Sequence, residues 1–288
     1  MRWLAGVLVV AALLFTAVTV LKRRGSDIPD ADTAAIATGE RARLERFWAA
    51  YRRATDLRIA GKAAAAATAY GEALALDPEH QDALYYLGSM DFDLGDLAGA
   101  ERAWRRLVEV DPSNARGHSQ LGVLYSCVGR PGVLDLDRAS GEFQRALEIN
   151  REETGPLMHL GEVALLRGDL KQARRDFDAV VGSNYTSVAA HVYLAYIAWK
   201  TGAADEAAAV LAAAAGHARA AGPAEGVPGE GDTRTGRSPL VTSSAGCRPM
   251  RVPTADLARP ADEVARKADS LFRALDALLR DVRRSLPR

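Results

Sequence analysis

Apolar residues in the middle of the chain recur at intervals of three and four positions, the spacing that places them on one face of an α-helix. Two such stretches predict a helix over residues 82–94 and a second helix over residues 97–110. A Gly-Asp pair forms the turn between them. The second helix ends at Asp111-Pro112, because a residue before proline avoids the α conformation. The pattern therefore predicts a helix-turn-helix unit.

The same arrangement returns about every 34 residues. A Leu-Gly pair marks the first helix of a unit, and an alanine followed four residues later by an aromatic residue marks the second. Small residues such as Gly88 and Ala100 are expected where the two helices of a unit approach closely. The repeated sets are Leu87-Gly88 with Ala100 and Trp104, Leu121-Gly122 with Ala139 and Phe143, and Leu160-Gly161 with Ala173 and Phe177.

This period and this order of residues resemble the tetratricopeptide repeat. The resemblance implies an all-α fold, a right-handed α-solenoid of about five helix-turn-helix units over residues 47–216, whose first helices line the concave side. The first unit departs from the pattern because it lacks the Leu-Gly pair. The third unit has roughly five extra residues, around 131–135, which are expected to loop out between its helices. Stacked repeats of this kind build surfaces for partners.

Residues 1–24 are predicted to be a transmembrane anchor. Residues 3–21 carry no charge, and as a helix they would span roughly 28 Å, close to the thickness of a hydrocarbon core. The alternative is a cleaved signal peptide, but the basic cluster at 22–24 disfavours both translocation and cleavage. The cluster also favours a single-pass protein whose bulk is cytoplasmic, with the periplasmic face as the alternative. Residues 25–46 are predicted to be a juxtamembrane linker with the start of a helix.

The chain changes character after the repeats. Gly, Pro, Ser and Thr dominate residues 217–253, which is the composition of a linker. Residues 254–288 are predicted to contain an amphipathic helix over 262–284, because apolar residues recur there at helical spacing. Two interpretations of this helix stay open. It covers the last repeat as a cap, or it forms a coiled coil or binds a partner.

Composition and motifs argue against several functions. The 37 basic and 37 acidic residues balance, whereas a nucleic-acid-binding surface needs a clustered basic excess. Cys127 and Cys247 can form at most one disulfide bond. The five histidines show no spacing typical of a metal site. Of these, His118 and His191 are expected to pack against other residues or to be partly exposed. The sequence therefore predicts no catalytic, cofactor or metal site and no enzyme. The alternative is an enzyme whose site lies in 217–253.

The predicted binding site is the concave groove. One face of each first helix, beside the inner seam, carries aromatic, aliphatic and small polar residues. We expect it to bind an apolar segment of a protein or peptide partner, with a helix as one candidate form of that segment. By analogy with the family, the chain is predicted to be a membrane-anchored adaptor in the assembly of a membrane or envelope complex. The alternative is a structural homo-oligomer that uses the groove and the C-terminal helix. The groove residues are Tyr51, Tyr85, Ser89, Phe92, Val123, Met158, Glu162, Tyr196 and Trp199.

Overall fold

The computed structural model describes residues 31–128, 132–221, 257 and 261–286, and within them the fold is all-α, as predicted. The predicted anchor at 1–24 lies outside the described residues. Among the helices that are described, none combines the length and the apolar character needed to cross a membrane. In chain order these helices are α1 Ala31–Ile59, α2 Ala63–Leu76, α3 Gln81–Leu94, α4 Leu97–Val110, α5 Ala115–Tyr125, α6 Leu136–Ile149, α7 Thr154–Arg167, α8 Leu170–Ser183, α9 Val188–Lys200, α10 Ala204–Ala220 and α11 Ala261–Ser285.

The helices from α2 to α10 pack in chain order, each on the next. The helices α3 and α4 match the predicted ranges 82–94 and 97–110 to within one residue. The third unit has its longer connection where the sequence predicts it, between α5 and α6, and the amide of Asp135 closes it by donating to the carbonyl of Tyr125 at 2.8 Å. This arrangement confirms a solenoid of helix-turn-helix units.

The two ends of the solenoid differ from the predicted segment bounds. The chain divides into two compact units, Met1–Ala49 and Ala50–Arg288, and the division falls inside α1. Helix α1 begins at Ala31 and continues through residue 46, where the juxtamembrane segment was predicted to end. At the other end, α10 continues past residue 216 to Ala220. Most of the predicted linker lies outside the described residues.

In three helix pairs, α3–α4, α5–α6 and α7–α8, the two helices meet where a glycine faces an aromatic ring. A Cβ atom added at Gly88 would lie 2.4 Å from the indole of Trp104, and one added at Gly161 would lie 2.6 Å from the ring of Phe177. No real Cβ contact is that short, so only glycine allows the two helices to approach this closely. Gly122 has the same relation to Phe143 in the third unit.

Local signals fix the helix ends. Side chains of Asp96, Asn114 and Asp169 accept hydrogen bonds from the backbone amides of the first turns of α4, α5 and α8, at 2.9–3.0 Å. These bonds satisfy amides that have no partner inside the helix. Gly95 and Gly168 end α3 and α7 with φ near +82° and +84°, a conformation that favours glycine.

Candidate partner-binding surface

The predicted groove residues lie on the first helices of the repeats, which are α1, α3, α5, α7 and α9. The structure separates them into two groups. Partly exposed side chains are Tyr51, Tyr85, Ser89 and Trp199. Buried side chains are Phe92, Val123, Met158, Glu162 and Tyr196. The predicted groove is therefore open at the first two repeats and largely covered at the later ones.

A continuous row of tyrosines joins the first two repeats. The ring of Tyr51 meets the ring of Tyr70 edge to face at 5.7 Å, and Tyr70 stacks on Tyr86 at 5.7 Å. Tyr86 in turn meets Tyr85 edge to face at 5.2 Å. Tyr70 is fully buried, whereas the other three tyrosines remain partly exposed. The buried ring holds the exposed ones in place, so the row is a rigid aromatic surface.

Two arginines lie on this row. The guanidinium of Arg58 sits 4.3 Å from the ring centre of Tyr86, and that of Arg116 sits 4.5 Å from the ring centre of Tyr85. Both distances are those of a cation–π contact. Arg116 also donates to the carboxylate of Asp82 at 2.9 Å, whereas the buried Nε of Arg58 has no hydrogen-bond partner among the described residues. We name this set the tyrosine–arginine face: Tyr51, Arg58, Tyr85, Tyr86 and Arg116.

The phenols of Tyr51 and Tyr85 stay protonated at neutral pH. Burial is the main cause that raises the pKa of Tyr51 to about 12, and burial also raises the pKa of Tyr85. The amide of Gln120 donates to the hydroxyl oxygen of Tyr85 at 3.4 Å. Ser89 differs, because its hydroxyl donates to the carbonyl of Tyr85 on its own helix at 2.9 Å. The face therefore presents hydroxyl and guanidinium donors beside aromatic rings.

Four of the five buried groove residues, Phe92, Val123, Met158 and Tyr196, belong to the apolar core. Phe92 packs against Trp104 with ring centres 5.6 Å apart and keeps 9% of its surface exposed. Val123 is 2% exposed and lies in the same continuous cluster. Their faces turn toward neighbouring helices rather than toward solvent, so neither residue is accessible to a partner in this conformation.

Glu162 takes part in a buried polar network. Its carboxylate accepts a hydrogen bond from the hydroxyl of Tyr193 at 3.0 Å and lies 2.9 Å from Nδ1 of His159. Burial and the Glu162 carboxylate raise the pKa of Tyr193 well above its usual range. Charged groups inside a protein need such partners. Glu162 therefore contributes to packing between α7 and α9, and Met158, 5% exposed, is buried on the same helix.

Helix α11 covers the first helix of the last repeat. Tyr196 donates its hydroxyl to Asp276 at 2.8 Å, and Trp199 donates its indole N–H to Asp269 at 3.1 Å. The ring of Phe272 lies 5.7 Å from that of Trp199 and 6.4 Å from that of Tyr196. Helix α11 also contacts α7 and α10. This arrangement matches the interpretation of the C-terminal helix as a cover for the end of the repeats.

Arg116 and Tyr86 were not among the predicted groove residues. Arg116 occupies the start of α5, three and seven positions before Ser119 and Val123, so helical spacing alone could have assigned it to the same face. Tyr86 carried no such signal, because its position follows from the stacking of α3 on Tyr70 of the preceding repeat. Within the described residues, no group of three or more His, Cys, Asp or Glu side chains could hold a metal ion.

Comparison with known protein families supports the repeat assignment. Residues 57–122 and residues 158–225 each match a family model described as tetratricopeptide repeat. No match was found among curated proteins. The chain therefore contains tetratricopeptide repeats, and the matched residues lie on both sides of the longer connection in the third unit.

Solved structures share the fold. A crystal structure of MamA is 21% identical with a TM-score of 0.54, and the match covers 64% of this chain and 99% of that one. PilF from Pseudomonas aeruginosa is 16% identical with a TM-score of 0.55, covering 84% and 93%. MamA from Desulfovibrio magneticus RS-1, from residue 41 to its end, is 12% identical with a TM-score of 0.56, covering 62% and 98%. At these identities the likeness concerns the fold alone.

Proposed function

We propose that this protein is a membrane-anchored scaffold, and not an enzyme, that binds a segment of a protein or peptide partner on the tyrosine–arginine face. One observation carries the proposal. The first two repeats leave Tyr51, Tyr85 and Ser89 partly exposed, whereas α11 covers Tyr196 in the last repeat. A surface built from first helices that nothing in the described chain covers is the place where a partner can bind.

The chemistry of the face supports this role. Tyrosine and arginine are the residue types that most often carry binding energy in protein interfaces, since they combine large contact area with hydrogen-bond donors. The tyrosine row is held by the buried Tyr70, so little side-chain freedom is lost on binding. An apolar side chain of the partner would lie against the rings. A carboxylate or carbonyl of the partner would accept from the guanidinium groups of Arg58, which is partly exposed, and Arg116, which is exposed.

The proposed anchor is the uncharged stretch 3–21, and the bulk of the chain is proposed to lie on the extracytoplasmic side. Cys127 is fully buried and disulfide-bonded. The one other cysteine of the chain is Cys247, which lies outside the described residues. Disulfide bonds persist in oxidising compartments and are rare in the cytosol. This bond supports the periplasmic alternative over the cytoplasmic one that the basic cluster at 22–24 favours.

Site-specific photo-crosslinking in native membranes tests the proposal. A photoreactive residue replaces Tyr85 in the full chain, and a second chain carries it at Gln144, an exposed position on the second helix α6. We expect a partner to crosslink from position 85 and not from position 144, and Arg58→Ala to reduce the yield. Equal yields from both positions would contradict the proposal. A crosslink to a second copy of the chain would favour the homo-oligomer instead.

A further inference from the structure

We propose that His191 and His217 form a binding site for one divalent transition-metal ion of the kind that prefers imidazole ligands, such as Zn²⁺ or Cu²⁺. The two imidazole rings lie side by side on the last helix pair of the repeats, with ring centres 5.1 Å apart and ring planes inclined at 51°. The inference goes beyond the proposed function, because it concerns different residues and a different kind of ligand.

The packing of α9 on α10 brings the two histidines together. His191 lies in the first turn of α9, and His217 lies in the last turn of α10. Only residues 201–203 separate the two helices, which pack on each other as an antiparallel pair, so the beginning of α9 lies beside the end of α10. The two histidines are 26 positions apart in the chain, so no local spacing pattern reveals that they are neighbours.

Hydrogen bonding prepares His191 to bind a metal ion. Its Nδ1 donates to the carbonyl of Ser187, one turn earlier, at 2.8 Å. A carbonyl oxygen only accepts, so Nδ1 carries the hydrogen and Nε2 of the neutral ring keeps its lone pair. Histidines that bind metals are usually oriented by such a bond from the other ring nitrogen. Among the described residues, neither Nε2 of His191 nor either ring nitrogen of His217 has a hydrogen-bond partner.

The distance between the rings suits a shared ion. A zinc–nitrogen bond of about 2.1 Å places the ion roughly 3.2 Å from each ring centre, so a tetrahedral angle between the two bonds sets the ring centres about 5.2 Å apart. The observed separation of 5.1 Å agrees with this value. Both histidines are partly exposed, so an ion can reach them and water can complete its coordination. The ring of Tyr185 meets that of His217 edge to face at 6.1 Å and restricts its orientation.

Isothermal titration calorimetry of Zn²⁺ into the full chain, prepared without a histidine tag, tests the inference. We expect one ion per chain with a dissociation constant below about 100 μM. His191→Ala and His217→Ala should each weaken binding at least about tenfold, because each variant leaves one imidazole instead of two. His118→Ala is the matched control and should bind Zn²⁺ as the wild type does, since Glu142 and the carbonyl of Pro112 already occupy both of its ring nitrogens.

Electron paramagnetic resonance of bound Cu²⁺ provides a second test that needs only the wild-type chain, so it stays decisive if a variant fails to fold. The spectrum of one equivalent of Cu²⁺ should show two coordinated imidazoles. A spectrum with fewer than two would overturn the inference.

Three results of the calorimetry would also overturn the inference. The first is a wild type whose dissociation constant for Zn²⁺ lies above about 1 mM. The second is a loss of binding in only one of the two variants at His191 and His217, which would indicate a lone histidine ligand. The third is wild-type affinity in both variants, with helical circular dichroism retained. Crosslinking at Tyr85 is independent of these outcomes, so the two proposals can fail separately.

Discussion

Replacing Gly88 by alanine should destabilise the protein, although alanine is the better helix former. In the middle of α3, alanine removes the backbone entropy cost of glycine and gains roughly 1 kcal/mol. The added Cβ, however, would lie 2.4 Å from the indole nitrogen of Trp104, which is fully buried. Trp104 also donates to the carbonyl of Tyr85 at 3.2 Å and cannot move without weakening that hydrogen bond.

The free energy of unfolding changes through two losses, overpacking and a weakened hydrogen bond, and one gain in helix propensity. Overpacking of a buried site costs about 1–3 kcal/mol, and a lost hydrogen bond costs about 1 kcal/mol. Together they exceed the helix-propensity gain, so Gly88→Ala should lower the free energy of unfolding by about 1–3 kcal/mol. The matched control is Gly71→Ala in α2, where an added Cβ meets nothing within 4 Å. There the propensity gain stands alone and stability should rise by about 0.5–1 kcal/mol.

Urea unfolding of both variants, followed by circular dichroism, measures this difference. The two variants should move in opposite directions from the wild type. If the Gly88→Ala protein were as stable as the Gly71→Ala protein, α3 and α4 would have to lie farther apart at Gly88 than they do in the structure. The assignment of these glycines to close helix contacts would then be refuted.

Three further outcomes are expected. Burial, and to a lesser extent the carboxylate of Asp96, raises the pKa of Asp91 to about 6, so ionisation of Asp91 opposes folding as the pH rises. Asp91→Asn should therefore stabilise the protein at pH 7 and not at pH 4. An equal effect on stability at both pH values would contradict the raised pKa. A hydrogen bond to Glu142 raises the pKa of His118, so its stabilising contribution is complete below about pH 6.5 and is lost as pH rises through the folded pKa. By NMR, Glu142→Gln should lower that pKa, and an unchanged value would count against the contact. Cys127 should react with a maleimide only after reduction, and labelling of the unreduced, denatured chain would refute the disulfide bond.

The repeats could be predicted because their signals are local. Three local signals set the ends of α3 and α4: the turn at Gly95, the cap at Asp96 and the stop at Pro112. Each lies within one turn of the helix end that it sets. The Gly88–Trp104 contact joins neighbouring helices of one unit, so it too is visible in a repeating pattern. For the same reason the predicted α3 and α4 agree with the structure to within one residue.

The surface could be predicted only in part. Helical spacing placed Tyr85 and Tyr196 on equivalent faces of their helices, yet one is partly exposed and the other is fully buried. The difference arises from α11, whose Asp276 bonds to Tyr196 across 80 positions of sequence. The stacking of Arg116 on Tyr85 likewise depends on how two repeats meet. Contacts between distant segments carry no periodic signal, so the sequence gives no means to predict them.

If the tyrosine–arginine face binds a partner, removal of one of its tyrosines should weaken that partner's affinity. Once crosslinking has identified that partner, isothermal titration calorimetry with the full chain measures its affinity for the wild type, Tyr85→Ala and Gln144→Ala. Tyr85 is partly exposed, so its loss should affect folding less than binding. We expect Tyr85→Ala to weaken binding by about 2 kcal/mol or more, roughly thirtyfold, with Gln144→Ala unchanged. Equal affinities for all three proteins would show that the partner does not bind the tyrosine–arginine face.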